Sequence, residues 1–183
     1  MVASLAMRGE TRAEKIRALM NALSRAAKGP GAIYFTGGAS AVLEGWREST
    51  IDVDLKLDPE APGIFEVLPR LKDELDLNVE LASPDDFIPA LPDWKSRSPL
   101  IAAQGPLRFY HYDFFAQALS KIERGHSQDV LDVDEMFRRH LVNSAELRSL
   151  FERIRPGLNR FPAIDEDDFA NKVAEALKSH EGG

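Results

Sequence analysis

Residues Phe35–Leu57 read FTGGASAVLEGWRESTIDVDLKL and hold the clearest structural signals in the chain. An apolar run, AIYFT, ends at the adjacent glycines Gly37 and Gly38, as a buried strand ends at a turn. ASAVLEGW then has the composition of a short helix. IDVDLKL alternates strictly between apolar and polar residues, which predicts a second strand with Asp52 and Asp54 on one face.

Both pairs of residues have an ordinary and a functional interpretation. Gly37 and Gly38 form a plain strand-to-helix turn, or they let the backbone approach a phosphate at the helix N-terminus, where Ser40 adds a hydroxyl. Asp52 and Asp54 form the polar face of a strand, or they bind Mg²⁺. Two carboxylates about 7 Å apart on one strand repel each other unless a cation lies between them.

A third acid favours the functional interpretation. Glu80 lies in NVEL, another strand-like run, in which Asn78 and Glu80 share one face. If this strand lies beside IDVDLKL, Glu80 joins the face of Asp52 and Asp54. Three acids on one face are more than a polar strand surface requires.

These motifs resemble the nucleotidyltransferase superfamily of the DNA polymerase β type. TGG, thirteen further residues, DVD and a later VEL follow the order of that superfamily, with a spacing at its long end. WRESTIDVDL is similar to the signature of the minimal bacterial nucleotidyltransferases, which include toxins of type IV toxin–antitoxin systems. HYDFFAQALSKIERGHSQDVLDV is similar to their helical segment, where Lys-x-x-Arg precedes Asp-x-x-Asp. The resemblance covers about residues 33–140.

The resemblance implies a role for each matching residue. The implied nucleotide-binding residues are Gly37, Gly38, Ser40, Lys121, Arg124 and Asp129. The implied catalytic residues are Asp52, Asp54, Glu80 and Lys121, and the three acids are also the implied ligands of Mg²⁺ or Mn²⁺. Glutamate stands at position 80, where the superfamily usually has aspartate. Lys121 would neutralise the charge that develops on the phosphates.

Several of these side chains have alternative interpretations. Lys121 is equally well explained as an exposed helix lysine. Asp129 and Asp132 lie one helical turn apart, where they position a base, orient Lys121 and Arg124, or cap their own helix. Arg47 pairs with a strand carboxylate, contacts substrate or forms a structural salt bridge.

Composition restricts the class of protein. Of 183 residues, 44% are hydrophobic, which is enough for a packed core. No apolar run approaches the about 18 residues of a membrane-spanning helix, and the first residues lack the apolar core of a signal peptide. Cysteine is absent, which excludes disulfides and thiolate metal sites. We expect a soluble, cytoplasmic protein with no membrane partner.

Charge argues against one mode of nucleic-acid binding and leaves another open. The net charge of −7 argues against a basic surface that wraps nucleic acid. Residues 138–160 nevertheless contain six arginines against two acids. These arginines lie on solvated helix faces, or they form a contact surface for RNA or an acidic partner.

The order of elements predicts an α/β or α+β core followed by a helical C-terminal part. The resemblance implies the α+β form, a nucleotidyltransferase fold in which helices flank a short mixed β-sheet. We place the core at residues 1–112 and the helical C-terminal subdomain at residues 113–183. A Thr11–Glu14 capping box should begin the first helix, and Pro69 should kink or divide a later one. Residues 83–99 have the composition of a surface loop, and a hairpin is expected around Gly105. The predicted N-caps of the C-terminal helices are Asp113, Ser127, Ser144 and Asp165.

We therefore expect an enzyme that moves a nucleoside monophosphate from an NTP to a hydroxyl by two-metal catalysis. By analogy with the toxin branch, the acceptor is RNA, such as tRNA, or a protein, and a toxin would also have a cognate antitoxin protein as partner. Two alternatives remain: a non-catalytic regulatory or binding protein that retains the fold, and a small-molecule nucleotidyltransferase of the antibiotic-modifying kind.

Overall fold

The computed structural model describes residues 9–181, which form an α+β fold as the sequence predicts. The helices are α1 (Ala13–Ala26), α2 (Gly37–Glu44), α3 (Ile64–Glu74), α4 (Phe114–Arg124), α5 (Ser127–Arg138), α6 (Ser144–Ile154) and α7 (Glu166–His180). The strands are β1 (Gly31–Thr36), β2 (Asp52–Leu57), β3 (Asn78–Leu81), β4 (Leu100–Gln104) and β5 (Leu107–His111). Two short 3₁₀ helices cover Pro84–Asp86 and Arg155–Arg160. No helix within residues 9–181 has both the length and the apolar content to cross a membrane.

The five strands form one mixed sheet in the order β3-β2-β1-β5-β4. β2 pairs antiparallel with β1 and parallel with β3, so the second strand of the opening stretch lies between the other two. β4 and β5 form the predicted antiparallel hairpin around Gly105. β3 lies beside β2, which is the arrangement that Glu80 needs in order to share the sheet face of Asp52 and Asp54.

The chain divides into two compact units. Unit 1 contains the described residues up to Ala82 together with Leu100–Tyr110, and unit 2 contains Ser83–Pro99 and the described residues from His111 onward. The core of unit 1 forms where α1, α3 and one face of the sheet bury their apolar residues. Its fully buried members include Leu19, Leu23, Phe35, Val53 and Leu55. The alternation of IDVDLKL therefore places Val53 and Leu55 in the core and leaves both aspartates on the opposite face.

The segment 83–99 differs from the surface loop that its prolines predict. It contains no strand, but Ile88 and Leu91 are almost fully buried, and the segment belongs to unit 2. Trp94 stacks on Tyr112 with ring centroids 4.3 Å apart. The observed units group this segment with the residues from His111 onward. The division at residue 112 drawn from the sequence stays a prediction.

Arg97 provides the second anchor of this segment. Its Nε and Nη2 both donate to Oδ2 of Asp113, at 2.9 and 2.7 Å. Burial raises the pKa of Asp113, and the hydrogen bonds and charge of Arg97 oppose that rise. The other carboxylate oxygen of Asp113 accepts from the backbone N–H of Phe115, so Asp113 is an N-cap as well as an ion-pair partner.

The start of α1 differs from the prediction. The expected Thr11–Glu14 capping box is wrong, because Arg12 is the N-cap and no side chain caps the helix. Thr11 instead exchanges backbone hydrogen bonds with Thr50, at 2.7 and 2.9 Å. The pairing partner is thirty-nine residues away, so a local motif could not reveal the competition.

Two of the other predicted N-caps are confirmed and two are displaced by one residue. Asp113 and Asp165 are N-caps, whereas His126 and Asn143 replace Ser127 and Ser144. Asn143 accepts from the backbone N–H of Glu146 at 2.9 Å. Asn and Ser cap helices about equally well, so propensity does not discriminate between adjacent candidates. α3 runs through Pro69 and is not divided.

The buried His111 generates a prediction about pH. Burial lowers the pKa of His111 to about 4, against 6.5 for an unperturbed ring. As the pH falls from 6.5 to about 4, the ring of His111 binds a proton in the unfolded chain but not in the folded chain. The free energy of unfolding should therefore fall by up to about 3 kcal/mol. In His111→Gln, urea unfolding measured at a series of pH values should show a smaller loss of stability between pH 6.5 and 4. The exposed His140, replaced by Asn, is the control. Parallel curves for wild type and His111→Gln would contradict the prediction.

Candidate active site

The glycine turn that follows β1 lies next to the acidic residues of β2 in unit 1. Thr36, the last residue of β1, pairs with Asp54 of β2, so Gly37 follows directly at that position. Gly37 has φ +59°, a left-handed conformation that glycine adopts without steric penalty. A Cβ on Gly37 would lie only 3.2 Å from Oδ2 of Asp54. The backbone of the turn therefore lies against the Asp54 carboxylate, with no side chain between them.

Gly38 is required for a different reason, which is close packing. A Cβ at this position would lie 2.1 Å from Oγ1 and 2.8 Å from Cβ of Thr50. It would also lie 3.1 Å from Nη1 of Arg47, so this guanidinium reaches the glycine turn. The hydroxyl of Thr50 donates to the backbone oxygen of Asp52 at 3.0 Å, which ties the loop before β2 to its first residue.

The acids lie on the face of the sheet opposite the core of unit 1. Asp52 and Asp54 are half-buried and alternate with the buried Val53. In the parallel pairing of β2 with β3, Asp52 is opposite Asn78 and Asp54 is opposite Glu80. Because registered neighbours on adjacent strands project to the same face, the two strands bring these four polar residues together.

Asn78 and Glu80 relate differently to the two aspartates. The side-chain amide of Asn78 donates a hydrogen bond to Oδ1 of Asp52 and so orients that carboxylate. Glu80 is exposed to solvent on the edge strand. Within residues 9–181, no three acidic or histidine side chains are grouped closely enough to hold a metal ion. Glu80 is thus adjacent to Asp54 by register, while its role as a shared metal ligand stays a prediction.

Ser40, the remaining predicted residue of this site, is fully buried within α2. α2 begins at Gly37, and no side-chain hydrogen bond from Thr36 caps it. The first-turn N–H groups of α2 are therefore better donors for an anion at this end of the helix than the buried Ser40 hydroxyl.

Unit 2 contains a buried ion-pair network that involves the other predicted residues. Lys121 of α4 is not an exposed helix lysine: it is buried, with a relative accessibility of 6%. Its Nζ donates to Oδ2 of Asp132 at 2.8 Å and lies 3.6 Å from Oδ1 of Asp129. Gln128 donates to the other oxygen of Asp132 at 3.1 Å. Both carboxylates come from α5, so the network joins α4 to α5.

Arg124 completes the network with a bidentate contact. Its Nε and Nη2 donate to the two oxygens of Asp129 at 2.7 and 2.5 Å. Asp129 also accepts from the backbone N–H of His126 at 3.2 Å. Burial alone would raise the pKa of Asp129, but the hydrogen bonds and charges of Arg124 and Lys121 lower it overall. Of the alternatives for Asp129 and Asp132, these contacts agree with orienting Lys121 and Arg124, and Asp129 also caps its own helix by accepting from the N–H of His126.

Three contributing residues do not figure among the predicted site residues: Thr50, Asn78 and Gln128. Asn78 had a local signal, since it lies two positions before Glu80 on the same strand face. Gln128 lies four residues before Asp132 on one helix, the spacing at which side chains meet. Thr50 had no local signal, because its contact with the glycine turn depends on how the loop before β2 folds back against that turn.

The comparison with protein families decides the class. A family model described as nucleotidyltransferase of unknown function (DUF6036) matches residues 12–177. The chain belongs to this family. Comparison with curated proteins and with solved structures gave no match. The family membership confirms the general prediction of a nucleotidyltransferase. The narrower prediction, membership of the toxin branch, stays a prediction.

Gly38→Ala should destabilise the protein, because Thr50 and the strand after it have to move to admit the methyl group. Overpacking of this kind costs typically about 1–3 kcal/mol, and urea unfolding measures it. Gly9→Ala is the matched control, since a Cβ there would meet nothing within 4 Å. Equal stability of the two variants would show that the close approach at Gly38 is wrong.

Lys121→Met should lower the free energy of unfolding more than the removal of an exposed lysine does. It leaves Asp132 buried without its cation, and loss of one partner of a buried ion pair costs about 3–5 kcal/mol. Lys178→Met, on the exposed face of α7, should have little effect. Adding Asp132→Asn to Lys121→Met should recover part of the lost stability in urea unfolding, because it removes the uncompensated charge. No recovery would contradict a direct pairing.

Proposed function

We propose that this protein transfers a nucleoside monophosphate from an NTP to a hydroxyl acceptor and releases pyrophosphate. The observation that carries the proposal is the approach of the Gly37 backbone to the Asp54 carboxylate. This approach supports a site in which the N-terminus of α2 would bind phosphate and Asp54, together with Asp52, would bind a divalent cation. Membership of a nucleotidyltransferase family supports the class of reaction.

The donor set fits a hard divalent cation. Asp52 and Asp54 offer carboxylate oxygens on one strand face, and the glycine at position 37 lets the backbone of the turn approach the Asp54 carboxylate closely. These two residues would hold Mg²⁺ or Mn²⁺, with Glu80 as the third ligand, and the bound metal supplies Lewis-acid activation of the hydroxyl and of the leaving pyrophosphate. Asn78 would keep the Asp52 carboxylate in one orientation, as outer partners of metal ligands do.

The remaining roles belong to groups that position the substrate. The first-turn N–H groups of α2 at Gly37 and Gly38 would bind phosphate oxygens. The acceptor hydroxyl attacks the α-phosphorus, the bond to the β-phosphate oxygen breaks, and the electron pair leaves with pyrophosphate. The hydroxyl proton passes to a carboxylate, for which we propose Glu80.

We assign Lys121, Arg124 and Asp129 of unit 2 to nucleotide binding. Arg124 exposes 60% of its side chain while two hydrogen bonds to Asp129 hold its guanidinium in place, a preorganised geometry that suits a phosphate contact. Lys121 is already neutralised by two acids, and we assign it a supporting charge within the network. The acceptor we propose is RNA or a protein hydroxyl, and a role as a toxin with a cognate antitoxin remains part of the proposal.

A non-catalytic binding protein is the second candidate. The observation in its favour is that Glu80 is exposed and that, in the described part of the chain, no three acids are grouped for metal binding. Such a protein would bind a nucleotide or a metal without transferring anything.

Label transfer distinguishes the two candidates. Incubated with each α-labelled NTP, Mg²⁺ or Mn²⁺, total RNA and cell protein, the wild-type chain should label an acceptor. Asp52→Ala/Asp54→Ala should abolish labelling, and Glu80→Gln should reduce it by about 10²-fold or more if Glu80 takes the proton. Asp73→Ala/Glu74→Ala removes the same charge from the exposed face of α3 and should retain activity.

Two results would count against an enzyme. One is equal labelling by wild type and Asp52→Ala/Asp54→Ala. The other is no labelling under any condition while calorimetry shows that Mn²⁺ or NTP binds through Asp52 and Asp54. The second result supports the non-catalytic candidate.

A further inference from the structure

Unit 2 contains a cleft that the proposed reaction does not use. It has a volume of about 500 Å³ and lies between the 83–99 segment and the C-terminal end of α6 with the 3₁₀ helix that follows. Two arginines, Arg153 and Arg160, line it together with prolines from both sides, and no aspartate or glutamate lines it. In a chain with net charge −7, this is a local region of positive charge.

The ion pairs divide the six arginines of residues 138–160 into two groups. Four are engaged by carboxylates, in the pairs Arg138–Glu135, Arg139–Glu135, Arg148–Glu181 and Arg155–Glu166. Arg153 and Arg160 have no carboxylate within ion-pair distance among residues 9–181. The two arginines that lack an acidic partner are therefore the two that line the cleft.

Arg160 lies close to the Gly157 backbone in the lining of the cleft. A Cβ on Gly157 would lie 3.3 Å from Nη2 of Arg160 and 3.5 Å from the Pro89 side chain. The guanidinium of Arg160 and the Pro89 ring thus both lie close to the Gly157 backbone. Pro89, Pro92 and Pro156 have no N–H groups and restricted φ angles, so they add rigid ring surfaces to a lining that is otherwise largely polar.

We propose that this cleft binds the phosphodiester backbone of single-stranded nucleic acid. A guanidinium donates two parallel hydrogen bonds to a phosphate, and proline rings offer apolar faces to ribose and base. An acidic peptide is disfavoured, because the cleft offers no strand edge that could pair with a peptide backbone. The proposal concerns unit 2 alone and holds whether or not the protein transfers nucleotides.

Fluorescence anisotropy with 5′-labelled oligouridylate and with oligodeoxythymidylate of the same length tests the proposal on the full chain. Arg153→Ala/Arg160→Ala should weaken the binding of whichever oligonucleotide the wild type binds by at least about tenfold. It should also reduce the slope of log K against log salt by roughly 1.4, since two phosphate contacts on a single strand contribute about 0.7 each. Arg153→Lys/Arg160→Lys keeps the charge and should lose less affinity.

The matched control is Arg138→Ala/Arg148→Ala, which removes the same charge from exposed arginines that are already paired. It should lose little affinity. Binding of RNA, DNA or both with this pattern supports the proposal.

Three outcomes would overturn it: no binding of either oligonucleotide by the folded wild type, equal losses in the two arginine double variants, or tighter binding of polyglutamate that depends on Arg153 and Arg160. Circular dichroism melting of each variant shows that a loss of affinity is not a loss of fold.

Discussion

The antiparallel pairing of β1 with β2 is the constraint on which the candidate site depends. Its register sets Thr36 opposite Asp54, so the glycine turn begins where the strand acids lie. Gly37 adopts a positive φ against the Asp54 carboxylate, and Gly38 admits Thr50 at a distance that excludes any side chain. A slip of one residue would move the acids into the core and Val53 to the outer face. The same pairing therefore determines both the packing of unit 1 and the position of its polar face.

The two units hold their charged residues by different means. In unit 1 the acids are half-buried on a sheet face, and only Asn78 supplies a side-chain hydrogen bond to Asp52 in the contacts described above. In unit 2 the charges are buried and compensated: Lys121 and Arg124 are matched by Asp129 and Asp132. A compensated network stabilises the arrangement of the α4–α5 pair. Metal binding by the acids of unit 1 and a positioning function of the network in unit 2 remain proposals.

Much of the fold was predictable because its signals are local. An apolar run before Gly37 identified β1, and alternation identified β2 and β3. Gly105 marked the hairpin, and helical patterns marked the C-terminal half. Two of the errors share a cause. The Thr11–Glu14 capping box lost to backbone pairing with Thr50, and the proline-rich 83–99 segment is anchored by Tyr112 and Asp113. In each case the deciding partner is distant in sequence, and a local pattern carries no information about it.

The sequence alone determined the residue types of the candidate site: adjacent glycines, an aspartate pair and a third acid at strand spacing, and a Lys-x-x-Arg segment before Asp-x-x-Asp. It also determined that six arginines cluster in residues 138–160. Only the tertiary structure decided which of these groups have partners. It buried Lys121 between two acids, left Glu80 exposed beside Asp54, and separated four paired arginines from Arg153 and Arg160. The physical reason is that the chemical behaviour of a charged group depends on its partners and on its burial. Both depend on residues that the fold brings together from elements far apart in the chain.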